Sequence, residues 1–382
     1  MDRLLALATA FAAVALAAPG LGDTNMDDLA ALDPSIGTPS EDGAVIYYDA
    51  LDIGVEGKGW TDTGRPYDRL PAKAEGVVRQ PVWDLSHHSA GLCVRFVTDA
   101  TTIHARWKVS SAGLAMDHMP ATGMSGLDLY ARGEDGWHWV GVGRPTAQEN
   151  SAQLVTGLDA GPREFRLYLP LYNGTESLEI GIPEGDRIAP APAYPEERAK
   201  PICFWGTSIV QGGCASRTGM AYPAIFGRWL DRPTINLGFS GNGQSEPEMA
   251  ELLAELDVAA FVLDCLPNLT AEQTAERTGP AVRILREARP DTPIVLVENI
   301  TYQQSPLVGW ARESGDAKNA ALRAVYEELI AQGIHGLIYV PGGPLLGDDG
   351  EGTVDGTHPT DLGFLRMAGH LRRYIEDALT NR

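Results

Sequence analysis

The sequence has few cysteines, few lysines and, beyond its first residues, no long apolar run. Four cysteines in 382 residues are too few for a disulfide framework, and none shows the Cys-x-x-Cys spacing of a structural zinc site. Lysine supplies only five of the 30 basic residues against 51 acidic ones, which gives a net charge of −21. Nucleic acid and anionic membranes repel such a chain. We therefore expect a neutral ligand or simply high solubility, with no nucleic-acid partner and no membrane insertion.

The N-terminus carries the longest apolar stretch, Leu4–Ala18, behind Met1-Asp2-Arg3. A short apolar run that closes on small residues is typical of a secretory signal peptide, and this one is too short to span a bilayer comfortably. We therefore expect residues 1–18 to be a signal peptide, residues 19–43 to be a loose leader, and the protein to be secreted or periplasmic.

Residues 44–187 alternate apolar and other side chains in short runs. Ile103–Val109 and Leu178–Ile182 show this period of two. The turn Glu134–Gly136 between two such runs is a hairpin signal. Short alternating strands with Gly-rich turns and no convincing amphipathic helix predict an all-β sandwich, which we expect to be jelly-roll-like.

After a proline-containing linker over residues 188–200, the pattern changes to short continuous apolar runs separated by amphipathic stretches. Such runs are typical of buried parallel strands. They are Ile202–Trp205, Thr234–Leu237, Ala259–Leu263, Ile294–Val297 and Gly336–Val340. Residues 201–382 therefore predict an α/β domain with a flavodoxin-like, doubly wound, five-stranded parallel sheet. Ser245-x-x-Glu248 and Thr270-x-x-Gln273 read as capping boxes that open two of its helices.

Four polar segments follow these strands or precede the last helix. They are Gly206-Thr207-Ser208 after the first strand, Gly238–Asn242 after the second, Asp264–Asn268 after the third, and Asp355–His358 before a helix capped by Thr360. Ligands of open α/β sheets bind beside the carboxyl ends of the strands. The fold is therefore expected to gather Ser, Gly, Asn, Asp and His around one point.

These residue types suit nucleophilic attack on an acyl group. The Ser208 hydroxyl needs a base, and His358 supplies the side chain best suited to that task. Asp355, three residues earlier, can accept the other ring N–H of His358 and fix its tautomer. The Ser208 and Gly241 backbone N–H groups and the Asn268 side-chain amide are candidate oxyanion donors. We therefore predict Ser208, Asp355 and His358 as catalytic residues, with no metal and no cofactor.

The sequence resembles the SGNH (GDSL-type) hydrolase family, whose four blocks match it at Ser208, Gly241, Asn268 and Asp355/His358. Its first block reads Gly-Thr-Ser-Ile, where the family has Gly-Asp-Ser-Leu. The segment Gly126–Tyr130 also resembles the GxDLY segment of β-sandwich domains that precede some members. The resemblance implies a metal-independent esterase that forms an acyl-serine intermediate and cleaves short acyl esters, commonly acetyl and often on a carbohydrate.

Two other functions remain open from the sequence. An acyltransferase would use the same triad with an alcohol in place of water. A non-catalytic carbohydrate-binding protein would use the sheet domain only as a scaffold. His87, His88 and His118 suggest a metal, but no third ligand stands at a fixed spacing from them, so surface or turn positions are favoured.

Overall fold

The computed structural model describes residues 26–380, and the predicted signal peptide lies outside them. The strands are β1 (Thr38–Pro39), β2 (Val45–Asp49), β3 (Val55–Glu56), β4 (Cys93–Thr98), β5 (Thr102–Val109), β6 (Leu127–Gly133), β7 (Gly136–Gly143), β8 (Glu149–Thr156), β9 (Arg163–Tyr168), β10 (Thr175–Pro183), β11 (Ile188–Pro190), β12 (Ile202–Gly206), β13 (Thr234–Gly238), β14 (Ala260–Asp264), β15 (Ile294–Val297) and β16 (Leu337–Val340).

The helices are α1 (Ala50–Ile53), α2 (Gln80–Ser86), α3 (Ala121–Met124), α4 (Glu196–Ala199), α5 (Ser208–Gln211), α6 (Tyr222–Trp229), α7 (Pro247–Leu253), α8 (Ala271–Ala288), α9 (Gly309–Ala331) and α10 (Asp361–Thr380). Single 3₁₀ turns form over Met26–Asp28, Pro34–Ile36, Ala72–Ala74, Thr218–Met220 and Leu266–Asn268. Within residues 26–380, no helix has the length and apolar character to cross a membrane.

Two antiparallel sheets occupy the N-terminal half. One has the order β1-β2-β10-β5-β8, and the other has the order β11-β4-β9-β6-β7 with β3 paired to β4. Side chains from both sheets, among them Trp107 of β5 and Phe96 of β4, share one hydrophobic cluster. The predicted hairpin joins β6 to β7. An N-terminal sheet domain is therefore confirmed, while its jelly-roll-like character stays a prediction.

Two details of this half differ from the sequence analysis. Ile188–Pro190, the start of the predicted linker, forms β11 because buried Ile188 and Ala189 complete the edge of a sheet. The stretch between β3 and β4, which we call the bridging segment (residues 57–92), contains helix α2 where no helix was expected. This segment packs on the C-terminal sheet: its buried side chains join the hydrophobic cluster of Trp205 and Leu237.

The C-terminal half has the predicted parallel sheet, in the order β13-β12-β14-β15-β16. Cys203 and Trp205 of β12 join one hydrophobic cluster with α7, α8 and α9, because strand side chains alternate between faces. Ile202 and Phe204 join a second cluster with α6 and α10. The doubly wound, five-stranded parallel sheet is therefore confirmed.

The strand register sets three loops side by side. Gly206 at the end of β12 lies opposite Gly238 of β13 and Asp264 of β14. The loops that begin at the next residues therefore leave the same edge of the sheet at the same level.

The helix caps agree with the sequence in two cases out of three. Thr270 forms the expected capping box with Gln273, and Thr360 Oγ1 accepts a hydrogen bond from the Gly363 N–H at 3.3 Å. The Ser245 box is wrong, because α7 begins later, at Pro247. Ser245 itself adopts a left-handed φ of 53°.

Candidate active site

Ser208 is the first residue of α5, a single helical turn directly behind β12. The Thr207 hydroxyl caps this turn by accepting a hydrogen bond from the Ile209 backbone N–H at 3.2 Å. Threonine oxygens satisfy helix N-termini in this way. Thr207 therefore caps the turn at the position where the Gly-Asp-Ser-Leu block of the family has Asp. The Ser208 side chain is nearly buried, with 6% of the residue exposed.

The other two predicted catalytic residues meet Ser208 in hydrogen-bonding range. His358 Nε2 lies 2.8 Å from Ser208 Oγ, and His358 Nδ1 lies 2.7 Å from Asp355 Oδ2. Because the carboxylate accepts a hydrogen bond from the Nδ1–H group, the neutral ring turns the lone pair of Nε2 toward the hydroxyl. This tautomer is the one that can remove the Ser208 proton.

The Asp355 carboxylate is held mainly by its own turn. Its Oδ1 accepts hydrogen bonds from the backbone N–H groups of Thr357 at 3.0 Å and His358 at 2.8 Å. Burial acts to raise the pKa of Asp355, but the hydrogen bonds from His358 and Thr357 outweigh it and lower the pKa. The carboxylate is therefore ionised at neutral pH and can stabilise an imidazolium at His358.

The predicted oxyanion donors Gly241 and Asn268 also lie next to each other. Gly241 has a left-handed φ of 70°, which glycine adopts without strain. The Asn268 amide is oriented by its neighbours: its oxygen faces the N–H groups of Gly241 at 3.3 Å, Asn242 at 3.0 Å and Gly243 at 3.2 Å. The Asn268 NH₂ group is thus turned away from these donors, whereas the Gly241 N–H already has an acceptor. Their oxyanion role stays a prediction.

Arg69, which the sequence analysis missed, supports the loop of Gly241 from the bridging segment. Its guanidinium is almost fully buried and donates to the carbonyl oxygens of Asn236 at 3.1 Å and Gly238 at 2.7 Å. Two further hydrogen bonds reach carbonyl oxygens of its own segment, those of Leu85 and His88. Burial lowers the pKa of Arg69 to about 9, so the group is still charged at neutral pH. No spacing in the sequence identifies this contact.

Tyr172 and Gln211 are further residues that the sequence analysis missed. The Tyr172 hydroxyl donates to the Ser208 carbonyl oxygen at 3.2 Å. Gln211, at the end of α5, donates to the Leu171 carbonyl at 2.9 Å and accepts from the Ser240 N–H at 2.9 Å. The helical turn of the nucleophile is therefore tied both to the N-terminal half and to the loop after β13.

His118 reaches the site from the N-terminal half. It lies at the tip of a tight turn that Met116 and Met119 close with backbone hydrogen bonds of 3.0 and 3.1 Å. Its ring centre is 5.6 Å from that of His358, in an edge-on arrangement. Ligand atoms of His118, Cys214 and His358 all lie within 4.8 Å of one another. The neighbours of His118 are thus residues of the C-terminal half, far away in sequence.

A cavity of about 540 Å³ opens beside the loop that carries the triad carboxylate. Residues from two loops, 301–308 and 343–350, line it. The Gln303 backbone N–H donates to the Gly356 carbonyl at 3.1 Å, which joins the cavity wall to the turn of the triad. Leu307 in this wall is 95% exposed. Ser208 and His358 are not among the residues that line the cavity.

The site is that of a serine hydrolase that acts on ester bonds. A hydroxyl, an imidazole and a carboxylate are joined by hydrogen bonds in that order, and amide groups lie alongside. Residues 199–376 match the GDSL-like Lipase/Acylhydrolase family, and residues 45–188 match the GxDLY family, the N-terminus of SGNH-type esterases. A solved GDSL-like lipase from Bacteroides ovatus is 36% identical, with a TM-score of 0.83 over 88% of this chain and 98% of that chain. The chain belongs to the GDSL-like (SGNH) lipase/acylhydrolase family, as predicted.

Two more distant solved structures share the fold. A salicylyl-acyltransferase from a tetracycline biosynthetic pathway is 18% identical, with a TM-score of 0.67 over 89% of this chain and 96% of that chain. An acetyl xylan esterase from Butyrivibrio proteoclasticus is 12% identical, with a TM-score of 0.57 over 88% of this chain and 99% of that chain. No curated protein matches the sequence significantly.

Proposed function

We propose that this protein is an exported serine esterase that removes short acyl groups, above all acetyl, from a carbohydrate through an acyl-Ser208 intermediate. The hydrogen-bonded series from Asp355 through His358 to Ser208, at 2.7 and 2.8 Å, carries the proposal. It supplies a nucleophile, a base and a group that orients the base, in the order that acyl transfer requires.

The residues act in two stages. His358 takes the Ser208 proton at Nε2 while Oγ attacks the acyl carbonyl, and it then passes this proton to the departing alcohol. In the second stage His358 deprotonates a water, which attacks the acyl-serine, and it returns this proton to Ser208 Oγ as the acid leaves. Asp355 stabilises the imidazolium in both stages. The Ser208 N–H group and the Asn268 NH₂ group are the proposed donors to the oxyanion, joined by the Gly241 N–H once it exchanges the Asn268 amide oxygen for the oxyanion.

Crowding around the nucleophile supports a short acyl group. A Cβ atom at Gly213 would lie only 2.8 Å from the Tyr172 hydroxyl and 3.3 Å from Cδ2 of His358. The backbone therefore packs tightly between Tyr172 and His358, beside a nucleophile that is itself nearly buried, and this favours a short acyl group.

A carbohydrate acceptor is supported by the surface beyond the triad. The cavity beside the Asp355 loop is large enough for part of a sugar, and Trp310, two residues along the chain from the lining residue Val308, is 66% exposed. An exposed indole offers a flat apolar face against which a sugar ring can stack. The acetyl xylan esterase among the solved structures has the same fold.

The test combines labelling with substrate profiling. A fluorophosphonate probe should label the wild type stoichiometrically and should not label Ser208→Ala, while Ser111→Ala, at an exposed serine, should label like the wild type. The wild type should hydrolyse aryl acetate faster than longer aryl esters and release acetate from an acetylated glycan. Release from no acetylated glycan, together with good hydrolysis of other esters, would contradict the carbohydrate assignment.

The acyltransferase alternative uses the same residues, and a solved acyltransferase shares the fold. Adding a sugar alcohol to the aryl acetate assay separates the two activities, because a transferase forms the acetylated alcohol faster than free acetate. We expect free acetate to dominate. Since the chain belongs to a family of ester hydrolases, a non-catalytic carbohydrate-binding protein is not retained.

Export rests on the apolar run Leu4–Ala18 alone. Cell fractionation followed by N-terminal sequencing should find a mature protein outside the cytosol whose first residue follows this run. A cytosolic protein that retains Met1 would contradict export.

A further inference from the structure

A histidine pair and a cysteine meet beside the nucleophile. One nitrogen of each of His118 and His358 and the Cys214 sulfur all lie within 4.8 Å of one another. Ligands of a tetrahedral zinc ion, with bonds of about 2.0–2.3 Å, stand about 3.3–3.8 Å apart. Shifts of the three ligand atoms by roughly 1 Å or less would therefore bring all of them within bonding distance of one ion.

The three side chains are presented in complementary ways. Cys214 is buried, and its backbone has a left-handed φ of 74° that few residues other than glycine adopt. The surrounding structure must hold this backbone conformation, which fixes the Cα–Cβ bond of Cys214 at the site. His118 is exposed at the tip of the Met116–Met119 turn, so its ring is free to rotate toward a ligand.

His358 already has the partner that a metal-binding histidine uses. Its Nδ1 lies 2.7 Å from Asp355 Oδ2, which leaves Nε2 for an external ligand. A carboxylate behind the second ring nitrogen orients histidines in zinc sites and raises their basicity. The arrangement that turns Nε2 toward Ser208 Oγ therefore also prepares it for a metal ion.

We propose that Zn²⁺ binds between His118, Cys214 and His358 and reversibly blocks the esterase. Two imidazoles and a thiolate with an open fourth position form a donor set that suits zinc. When the Zn–S bond forms, the Cys214 thiol releases its proton to solvent. The Zn–N bond at His358 Nε2 replaces the hydrogen bond to Ser208 Oγ. Ser208 then has no base, so acylation and deacylation both stop.

Binding can be tested without any turnover. Ser208→Ala keeps all three ligands, and calorimetric titration with ZnCl₂ should give one strongly bound ion. Adding His118→Ala or Cys214→Ser to this background should weaken binding at least about tenfold, because even the loss of an outer-shell partner has an effect of this size. Failure to bind, or an affinity that neither substitution changes, would overturn the site whatever the substrate is.

Inhibition of the esterase by Zn²⁺ rests on the proposed function and needs a separate measurement. Each protein's aryl acetate rate is normalised to its own metal-free rate. Zn²⁺ should inhibit the wild type, and EDTA should restore the rate. In His118→Ala and Cys214→Ser, half-inhibition should need at least about tenfold more Zn²⁺.

His138→Ala is the matched control, because His138 is an exposed histidine in β7, and it should be inhibited like the wild type. Zinc that binds Ser208→Ala but leaves wild-type turnover unchanged would overturn the block. A wild type that hydrolyses no ester would instead contradict the proposed function, and the calorimetric result would still decide the metal site.

Discussion

The two sides of the triad are held by different kinds of contact. Asp355 and His358 share one short turn, and a single carboxylate binds both the ring and two backbone N–H groups of that turn. Ser208 stands on a helical turn that Tyr172 and Leu171 of the N-terminal half fix in place. The acid–base side is therefore a local structure, whereas the position of the nucleophile depends on contacts between the two halves.

The first prediction tests the local side with the largest expected effect. His358→Ala removes the base for both stages and should reduce kcat for aryl acetate by roughly 10³-fold or more. His370→Ala, a histidine on α10, is the control and should retain activity. A loss of less than about tenfold in His358→Ala would mean that another group removes the Ser208 proton.

Asp355→Asn should have the next largest effect. An amide cannot stabilise the imidazolium, and it can favour the wrong tautomer of His358. In a buried triad the same substitution lowers kcat about 10⁴-fold. Because the Asp355 side chain is 38% exposed, we expect a smaller loss of roughly 10²–10³-fold in kcat. A variant with wild-type kcat would show that the carboxylate does not orient His358.

The third prediction concerns the contact between the halves. Arg69→Met leaves four carbonyl oxygens without their charged donor and should lower the free energy of unfolding by about 3 kcal/mol in chemical denaturation. Arg65→Met, at an exposed position of the same segment, should change it by less than about 0.5 kcal/mol. Equal effects in the two variants would contradict the supporting role of Arg69.

Tyr172→Phe should have a small effect on the nucleophile side. It removes one hydrogen bond to the Ser208 carbonyl, worth about 1 kcal/mol, so kcat should fall by no more than about fivefold. The unchanged ring keeps the packing. A loss as large as that of Asp355→Asn would indicate a direct role of the hydroxyl in the reaction.

A second aspartate near the site contrasts with Asp355 in its titration. Burial raises the pKa of Asp264 to about 7, although the Tyr222 hydroxyl donates to it and acts to lower the pKa. Between its ordinary pKa of 3.8 and about 7, folding takes up a proton, so the contribution of Asp264 to stability falls as pH rises through this window. The unfolding midpoint of the wild type should therefore fall relative to that of Asp264→Asn as pH rises from about 4 to about 7, and the difference should be constant above that. A difference that stays constant from about pH 4 to about pH 7 as well would contradict the raised pKa.

The parallel sheet and the triad were predictable, and the reasons are physical. The strands of the parallel sheet are buried on both faces, so they form continuous apolar runs that are easily recognised in the sequence. Strands of such a sheet deliver their following loops to one edge, which brings Ser208 toward the separate Asp355–His358 turn. The three residues predicted as catalytic do lie together in the structure.

The contacts between the halves were not predictable in this way. The bridging segment lies among strands with a period of two, and its own pattern is different: an apolar residue stands at every fourth position. These residues are buried against the C-terminal sheet, and they are Leu70, Ala74, Val78 and Val82. Arg69 and Tyr172 act through partners far away in sequence, and no spacing marks them. The capping box predicted at Ser245 is wrong for another reason: α7 begins at Pro247, so Ser245 lies before the N-cap.

The bridging segment limits how this protein can be divided or recombined. It leaves the N-terminal sheets after β3, covers Trp205 and Leu237 of the other half, and returns to begin β4. Residues 201–382 expressed alone would expose that apolar face to water and lose Arg69 from the loop of Gly241. A chimera with a relative's catalytic half would need the matching residues 57–92 grafted with it, because a junction at the interdomain linker alone would pair mismatched surfaces.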